Sequence, residues 1–503
     1  MLSDCVPSSA PAAGGDLYVW GQGDMELGVT PDKEGTVPLP TRVTSLPAQS
    51  VAQVCLGDTF TLVRLVDGAV MSFGHNTKGR LLGRPGEGPV PKLVIGGATH
   101  IAAGQSHSLA VTGDNGAVFA WGNAMRGALG NPDNTGSDGL KPVLHTLGSK
   151  GSPGEPLTGA VAVEAGFQNS AALMRDGRVA VWGCNHHGKA GGGAPGDVVS
   201  PVAFLDLPGP AATIACGSLY SAATLRDGTL LTWGYGGAGN LGHGDRRSRS
   251  TPTVVEALRG RCRVVRVACT RGQINPVTSG KVNGTEQPHT FAVDDEGRAW
   301  AFGTCHKGML GNHTNKILSP PTGDELAPYC IGGQPTRDGK GTGPSGYLGG
   351  LNIVGAASAS IHSLLLAANG DVFGFGCGSG GRLGVSKYLT GLHGARSRMK
   401  CYISQPTVLE RFAEGGLRVA AIATARRVAA AIVVGRGDPR PTELPSAAPQ
   451  AGVPGQAPSP PAASAAPPQP PVPAPSGVAE ADVDDDDEGH LERDHTDYSL
   501  LSE

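Results

Sequence analysis

Apolar positions in this chain alternate with small or polar ones in short runs. HSLAVT from His107, AVFAW from Ala117, HTFAVD from His289 and DVFGF from Asp371 show the pattern. A period of two with β-branched and aromatic residues is the pattern of a half-buried strand, and it does not suit a helix, whose period is 3.6. Between one run and the next stands a tight-turn dipeptide, DG, NG or EG, ending at Gly68, Gly116, Gly177, Gly228, Gly297 and Gly370. Such pairs tolerate the positive φ of a two-residue hairpin, so each unit is predicted to be strand, hairpin, strand.

The unit recurs seven times. Its second strand ends in an aromatic residue followed by Gly, at Trp20, Phe73, Trp121, Trp182, Trp233, Phe302 and Phe375, and five copies place further Gly five and eight positions beyond, as in WGNAMRGALG with Gly122, Gly127 and Gly130. The first copy, WGQGDMELG, is one residue short, and the second, FGHNTKGRLLG, is one long. Starts lie 53, 48, 61, 51, 69 and 73 residues apart, so the variable length falls between copies. A repeat of this size is an array of units that bury their faces only against their neighbours.

The two ends of the array predict its closure. RVAAIATARRVAAAIVV, residues 418–434, reads as the strands that precede an aromatic-Gly strand, yet none follows. The missing partner stands at the start, where LYVW follows Gly15, a glycine six residues before Gly21. The expected fold is therefore all-β, a seven-bladed β-propeller over residues 16–436 sealed by the N-terminal strand, preceded by a short flexible segment (1–15) and followed by a disordered tail. Such a ring leaves only short, protected edges.

Composition refines this picture. Gly makes up 79 of 503 residues, more than double its usual share, and the repeats account for much of the excess. Residues 437–477 are rich in Pro and Ala and read as an extended linker. Residues 480–503 carry eleven acids and one Arg, a net of 1 − 11 = −10; the whole chain is −3, so residues 1–479 carry −3 + 10 = +7. A basic body with an acidic tail at 478–503 raises the expectation that the tail solubilises the chain or competes with an acidic partner. Two Gly/Pro/Ser-rich stretches, 131–160 and 312–350, read as mobile surface loops. Residues 246–271 hold eight Arg against Glu256, and the alternation RCRVVRV suggests a strand that turns Arg263 and its neighbours to one side. With Arg246 and Arg247, that would be a face for phosphate, DNA or an acidic protein patch.

Catalytic and cofactor motifs fit poorly. GYGGAG (234–239) and GCGSGG (376–381) match the dinucleotide pattern in letters, but each follows a repeat strand and opens no helix. His186 and His187 would need metal ligands from elsewhere, and the ten Cys form no CxxC pair. The opening residues lack the basic and apolar segments of a secretory signal, so the Asn283-Gly-Thr and Asn312-His-Thr sequons read as chance matches. No cofactor and no metal are expected, no membrane span is seen, and nuclear and cytoplasmic locations both fit.

The aromatic-Gly strand, the Leu-Gly loop, the AAGxxHxxAL run kept best in AAGQSHSLAV (102–111), and the DG turn together resemble the repeats of the regulator of chromosome condensation family. In LGDTFTLVRL, AGFQNSAALM and CGSLYSAATL, the His position holds Phe60, Asn169 and Tyr220. The resemblance covers residues 16 to about 434 and implies a propeller that binds proteins through a flat face. In the family's exchange factor, that face acts on the small GTPase Ran. WGQGDMELG, MSFGHNTKGRLLGR and HTFAVDDEGRAWAFG resemble that member, which implies a Ran-like GTPase as partner and, as an alternative, guanine nucleotide exchange; a scaffold unrelated to GTPases is the second alternative. The corresponding loop positions are Gln105 or Ser106, Gln168 or Asn169, and His289, with His107 and His362 as the other repeat histidines. Where the exchange factor has Asp in two of these loops, this chain has neutral residues, and NAMRGALG runs without the family's wedge insertion. Exchange would be differential binding to the empty GTPase, with no bond-making chemistry. Residues 1–32 contain no Lys or Arg, in contrast to the basic N-terminal tail of the chromatin-bound member, so chromatin or nucleic acid is the less favoured partner.

Overall fold

The computed structural model describes residues 14–436 except 24–26, 34, 76–87, 134–138, 146–153, 193–195, 197, 272–287, 306–307, 313–324, 332–347, 349–350 and 386–401. The linker and the acidic tail lie outside the described residues. Seven four-stranded antiparallel sheets, the blades, stand around a central channel. Blades 1 to 6 follow chain order over residues 51–95, 98–142, 160–204, 211–254, 264–331 and 353–408. Blade 7 joins the two ends: Leu417–Thr424 and Val428–Arg436 are its first two strands, and Asp16–Gln22 and Thr36–Arg42 are its third and fourth. Leu17 lies opposite Ile432 and Trp20 opposite Ala429, as the closure argument expected. The N-terminal segment contributes the outermost strand as well.

Each blade's first strand lines the channel and its fourth faces outward. The two middle strands are sandwiched between neighbouring blades, so Asn169–Met174, Tyr220–Leu225 and His362–Ala367 are buried at every position and read as nearly continuous apolar runs. The fourth strands were not legible in the sequence. They are part-exposed, and all seven contain Pro, as in Lys141–Pro142, Arg249–Val254, Glu325–Ile331 and Tyr402–Val408. Proline offers no N–H to a further strand, which suits an edge that must not pair with another chain. Two of these strands, Lys141–Pro142 and Glu325–Ile331, fall inside the stretches expected to be mobile loops, so those parts of 131–160 and 312–350 are blade edges.

Hydrogen bonds at two levels fasten blade to blade. At the face bearing the hairpin turns, the carbonyl of each turn Gly accepts an N–H from the start of the next blade's first strand, for example Gly116 from Ala160 at 3.1 Å and Gly228 from Val264 at 2.9 Å. Gly15 does the same for Val51 at 2.9 Å, though the chain makes no hairpin there. Gly116, at φ +65, also abuts the Ala160 backbone so closely that a Cβ has no room. On the opposite face, the carbonyl of the residue between the last two repeat glycines serves the following blade. Ala128 accepts from the Trp182 indole at 2.9 Å and the Ser170 hydroxyl at 2.9 Å, and Lys189 accepts from Trp233 at 3.0 Å and Ser221 at 2.8 Å. At the ring closure, Arg382 accepts from Trp20 at 3.1 Å.

Candidate functional site

The face opposite the hairpin turns carries two rings of loops. The inner ring is formed by the tips between first and second strands, and it is tied into a backbone belt. Asp58 N donates to Gln105 O (3.3 Å), Gln105 N to Gly166 O (3.2 Å), Phe167 N to Gly217 O (3.4 Å), Ser218 N to Thr270 O (3.0 Å) and Arg271 N to Ser358 O (3.1 Å). The outer ring consists of the repeat loops, which place Met125, Arg126, His186 and His187 in solvent. Arg126 and His187 sit at φ +54 and +58 and Gln168 at +62, three of the four described non-glycine residues in the left-handed region. That conformation is costly for residues with a Cβ, and here it is held on one sector of one face.

The polar groups beneath the belt are structural. Lys189 is buried without a carboxylate partner among the described residues; its ammonium donates to the Phe167 carbonyl and to Ser218 O at 3.0 Å, with the Phe167 ring 5.1 Å away. Burial pulls its pKa down to about 8, opposed by the nearby Cys184 and Cys216 thiols. At the centre, Arg271 crosses the channel mouth to pair with Glu164 of blade 3. Burial raises the Glu164 carboxyl above its ordinary value, and Arg271 opposes that shift. Cys55 and Cys216 on the channel wall are pushed up to about 12 by burial, which leaves them as inert thiols.

The structure divides the candidate residues sharply. Gln105 and Gln168 are half-buried at the face, and Gln105 donates to the Asp58 carboxylate at 3.0 Å. His107, Asn169, His289 and His362 are buried, each at 2 % exposure or less, so these four candidate contacts lie beneath the surface. His107 Nε2 meets Ser170 Oγ at 2.9 Å; because that hydroxyl donates to Ala128 O, the imidazole is the donor to it. His289 Nε2 is likewise 2.9 Å from Ser363 Oγ, which donates to Met309 O. His107 is held down to about 4 by burial, with Lys189 adding to the effect.

The Arg-rich run forms no single face. Arg246, Arg247 and Arg249 precede or open the fourth strand of blade 4 on the loop face, Arg259, Arg261 and Arg263 lie in its connection to blade 5 on the turn face, and Arg266 and Arg271 reach the channel. One strand carries the chain across the molecule between the first two groups, so proximity in sequence is lost in space. The expected strand begins only at Val264. Arg263 stands before it, 3.5 Å from Asp295 and donating to Arg226 O at 3.2 Å. Arg246 donates to Gly237 O at 3.1 Å, while the bidentate Arg249 holds the Asp245 carboxyl at about 2.

Comparison with known proteins meets the same repeats. The family model described as Regulator of chromosome condensation (RCC1) repeat matches residues 14–64 and 227–272, and a second model of that description matches 98–124 and 160–189. The chain is an RCC1-repeat propeller. It is 31% identical over 366 residues to the human E3 ubiquitin-protein ligase HERC2, covering 70% of this chain but 7% of that protein's length. It is 27% identical over 400 residues to the Arabidopsis thaliana ultraviolet-B receptor UVR8, covering 77% of this chain and 79% of that one. Prp20p from Saccharomyces cerevisiae, a structure described with its binding properties to Gsp1p and histones, superposes with a TM-score of 0.63 at 18% identity, covering 87% and 95% of the two chains. At that identity, the superposition speaks for the fold. In this RCC1-repeat propeller the signature His is thus a seam residue, and the side chains offered to solvent come from the repeat loops. The only sequence signal for those was a basic residue or His before the middle glycine, at Arg126 and His187.

Proposed function

We propose that this propeller is a protein-binding platform that engages its partner with the loop face, and that a Ran-like small GTPase is the partner of first choice. The observation that carries the reading is the build of this face: a backbone-linked belt whose tip loops include Gln168, ringed by repeat loops that present Arg126 and His187, all three in a conformation the fold has to maintain. A surface ordered before binding loses little entropy when a partner docks. The GTPase assignment rests on the resemblance of the first, second and sixth aromatic-Gly repeats and on the Gsp1p binding of Prp20p, a property of that protein.

Binding and nucleotide exchange separate here. Exchange needs tighter binding to the empty GTPase than to the loaded one. The loop Asn123–Gly130 makes a single compact turn at Met125–Gly127 with no wedge, and Gln105 and Gln168 are neutral. We therefore place exchange second, with the repeat resemblance in its favour, and chromatin or another scaffold partner third. The test is titration of the full chain against Ran with GDP and without nucleotide, alongside release of labelled GDP. Saturable binding that falls at least about tenfold in Arg126→Glu/His187→Glu supports the platform. Binding unchanged by the double variant overturns the use of this face, absence of binding overturns the GTPase, and accelerated release establishes exchange.

A further inference from the structure

Ser248 stands on the loop face at the junction of blades 3 and 4, with Arg246 and Arg247 immediately before it and Arg249 immediately after. The segment joins the repeat loop of blade 4 to its outer strand, Arg249–Val254, whose pairing with Leu230–Gly234 starts at Arg249. Ser248 therefore precedes the ladder, and both it and Arg247 are exposed. Ser250 and Thr251, next in sequence, lie within the strand.

The surroundings of Ser248 belong to the face already described. Its Oγ accepts from Gly236 N at 3.2 Å, and Arg246 donates to Gly237 O at 3.1 Å, so the segment is fastened to the blade 4 repeat loop. Tyr235 of that loop meets His187 edge to face, with ring centres 5.2 Å apart. Arg247 N donates to the Asp245 carboxylate at 2.9 Å, and the Arg249 guanidinium reaches Arg247 O at 2.8 Å. The guanidinium groups are thus gathered around the serine by the backbone itself. Residues 245–249 carry three Arg and one Asp, a net of 3 − 1 = +2.

We propose that Ser248 is a phosphorylation site for a serine/threonine kinase with an acidic substrate groove, and that phosphate there cancels the positive charge of the docking face beside His187. An acidic groove is complementary to guanidinium groups on both sides of a serine. In the transfer, Ser248 Oγ bonds to the γ-phosphorus of ATP, the bond from that phosphorus to ADP breaks, and the hydroxyl proton passes to the kinase's base. Phosphoserine brings about −1.5 to −2 near pH 7, which takes the segment to about zero. It also competes with Asp245 for Arg249. That this weakens partner docking rests on the loop face being the one used.

The experiment treats the full chain with ATP and the catalytic domain of cAMP-dependent protein kinase or of protein kinase C, and maps phosphate by peptide mass spectrometry. Near-complete modification of Ser248 is expected, reduced at least about tenfold in Arg246→Gln/Arg247→Gln. No phosphate at Ser248 with either kinase, or modification indifferent to the two arginines, overturns the site. Ser397, flanked by Arg396 and Arg398, lies outside the described residues and is removed as a rival by Ser397→Ala. The charge effect is read without any partner: burial, then His186 and Lys189, hold the His187 pKa below its ordinary value, and phosphate should raise it in NMR titration. An unchanged His187 overturns that half. In the Ran titration, the phosphorylated chain should bind at least about tenfold more weakly, while Ser248→Ala treated with kinase keeps its affinity. Equal affinity of the phosphorylated and untreated chains overturns the switch, and failure of the untreated chain to bind strikes the GTPase reading, leaving the site to be judged by mapping and by His187.

Discussion

The seam between blades 6 and 7 lacks a hydrogen bond that other seams make, and the loss is traceable to one residue. At the blade 2–3 and blade 5–6 seams, a repeat His donates to a Ser of the following blade, His107 to Ser170 and His289 to Ser363, both at 2.9 Å. His289 has a second partner in Ser358 Oγ, also at 2.9 Å. The position of Ser363 is taken in blade 7 by Ala429, and both ring nitrogens of His362 are buried without a partner among the described residues. So is Thr424 Oγ1, which stands where Ser358 stands one blade earlier. Blade 1 shows the reverse mismatch: Phe60 occupies the His position and leaves the facing Ser108 hydroxyl buried and without a partner among the described residues.

Ala429→Ser adds one oxygen beside His362 and supplies the missing acceptor. A net buried hydrogen bond is worth about 1 kcal/mol, and relieving an orphaned group adds a comparable amount, so a gain of about 1–2 kcal/mol is expected. With an unfolding entropy of about 2 cal/mol/K per residue over roughly 420 residues, this raises Tm by about 1–2 °C. His362→Phe, which copies Phe60, removes the orphan another way and should be neutral or stabilising, whereas His107→Phe discards a made bond and should cost about 1 kcal/mol. The assay is denaturant unfolding of the four variants, Ala429→Ser/His362→Phe included. The reasoning requires the serine to lose its benefit when His362 is absent. A gain of the same size in both backgrounds would refute it.

Acid should destabilise the ring earlier than carboxylate titration alone would. His100 and His107 are held at about 4 by burial and His362 well below its ordinary value, so all three are neutral in the folded protein and take up a proton once unfolded. Their contribution is complete above the unfolded value near 6.5 and is lost as pH falls toward 4, about 1.4 kcal/mol per unit for each. Urea midpoints at pH 7.5 and 5 check this, and equal midpoints would contradict it. Trp20→Ala removes a fully buried side chain, its edge contact with Phe412 at 5.8 Å and its bond to Arg382, and should cost at least about 3–5 kcal/mol. Limited proteolysis should then cut first near the N-terminal strands; an unchanged pattern would mean that Trp20 does not hold the closure.

Much of the fold was legible because the residues that build it are chemically unusual. The six turn glycines located the hairpins, although their second role, receiving the next blade, at Gly116 so closely that no Cβ fits, has no counterpart in hairpin rules. Gly15 is informative for that reason: it keeps its place with no turn to make. The fourth strands escaped because their prolines argue against a strand unless the strand is known to be an edge. The candidate site was harder to read. A His recurring in a loop motif suggests a contact, yet His107 and His289 serve a serine one blade away, a partner 63 or 74 residues distant in sequence. The arginines of 246–271 looked like one patch because sequence carries no sign of which end of a strand each would occupy.

The clasp at blade 7 also sets an order of events. Trp20 must wait for Arg382, and Gln22 for Arg427, 405 residues later. At roughly 5–20 residues per second, the ribosome keeps the opening strand waiting for tens of seconds, its LYVW edge unpaired throughout. A cell making this protein must shelter that short apolar segment until the last hairpin emerges, and a chain terminated before Val428 would never bring the partner that releases it.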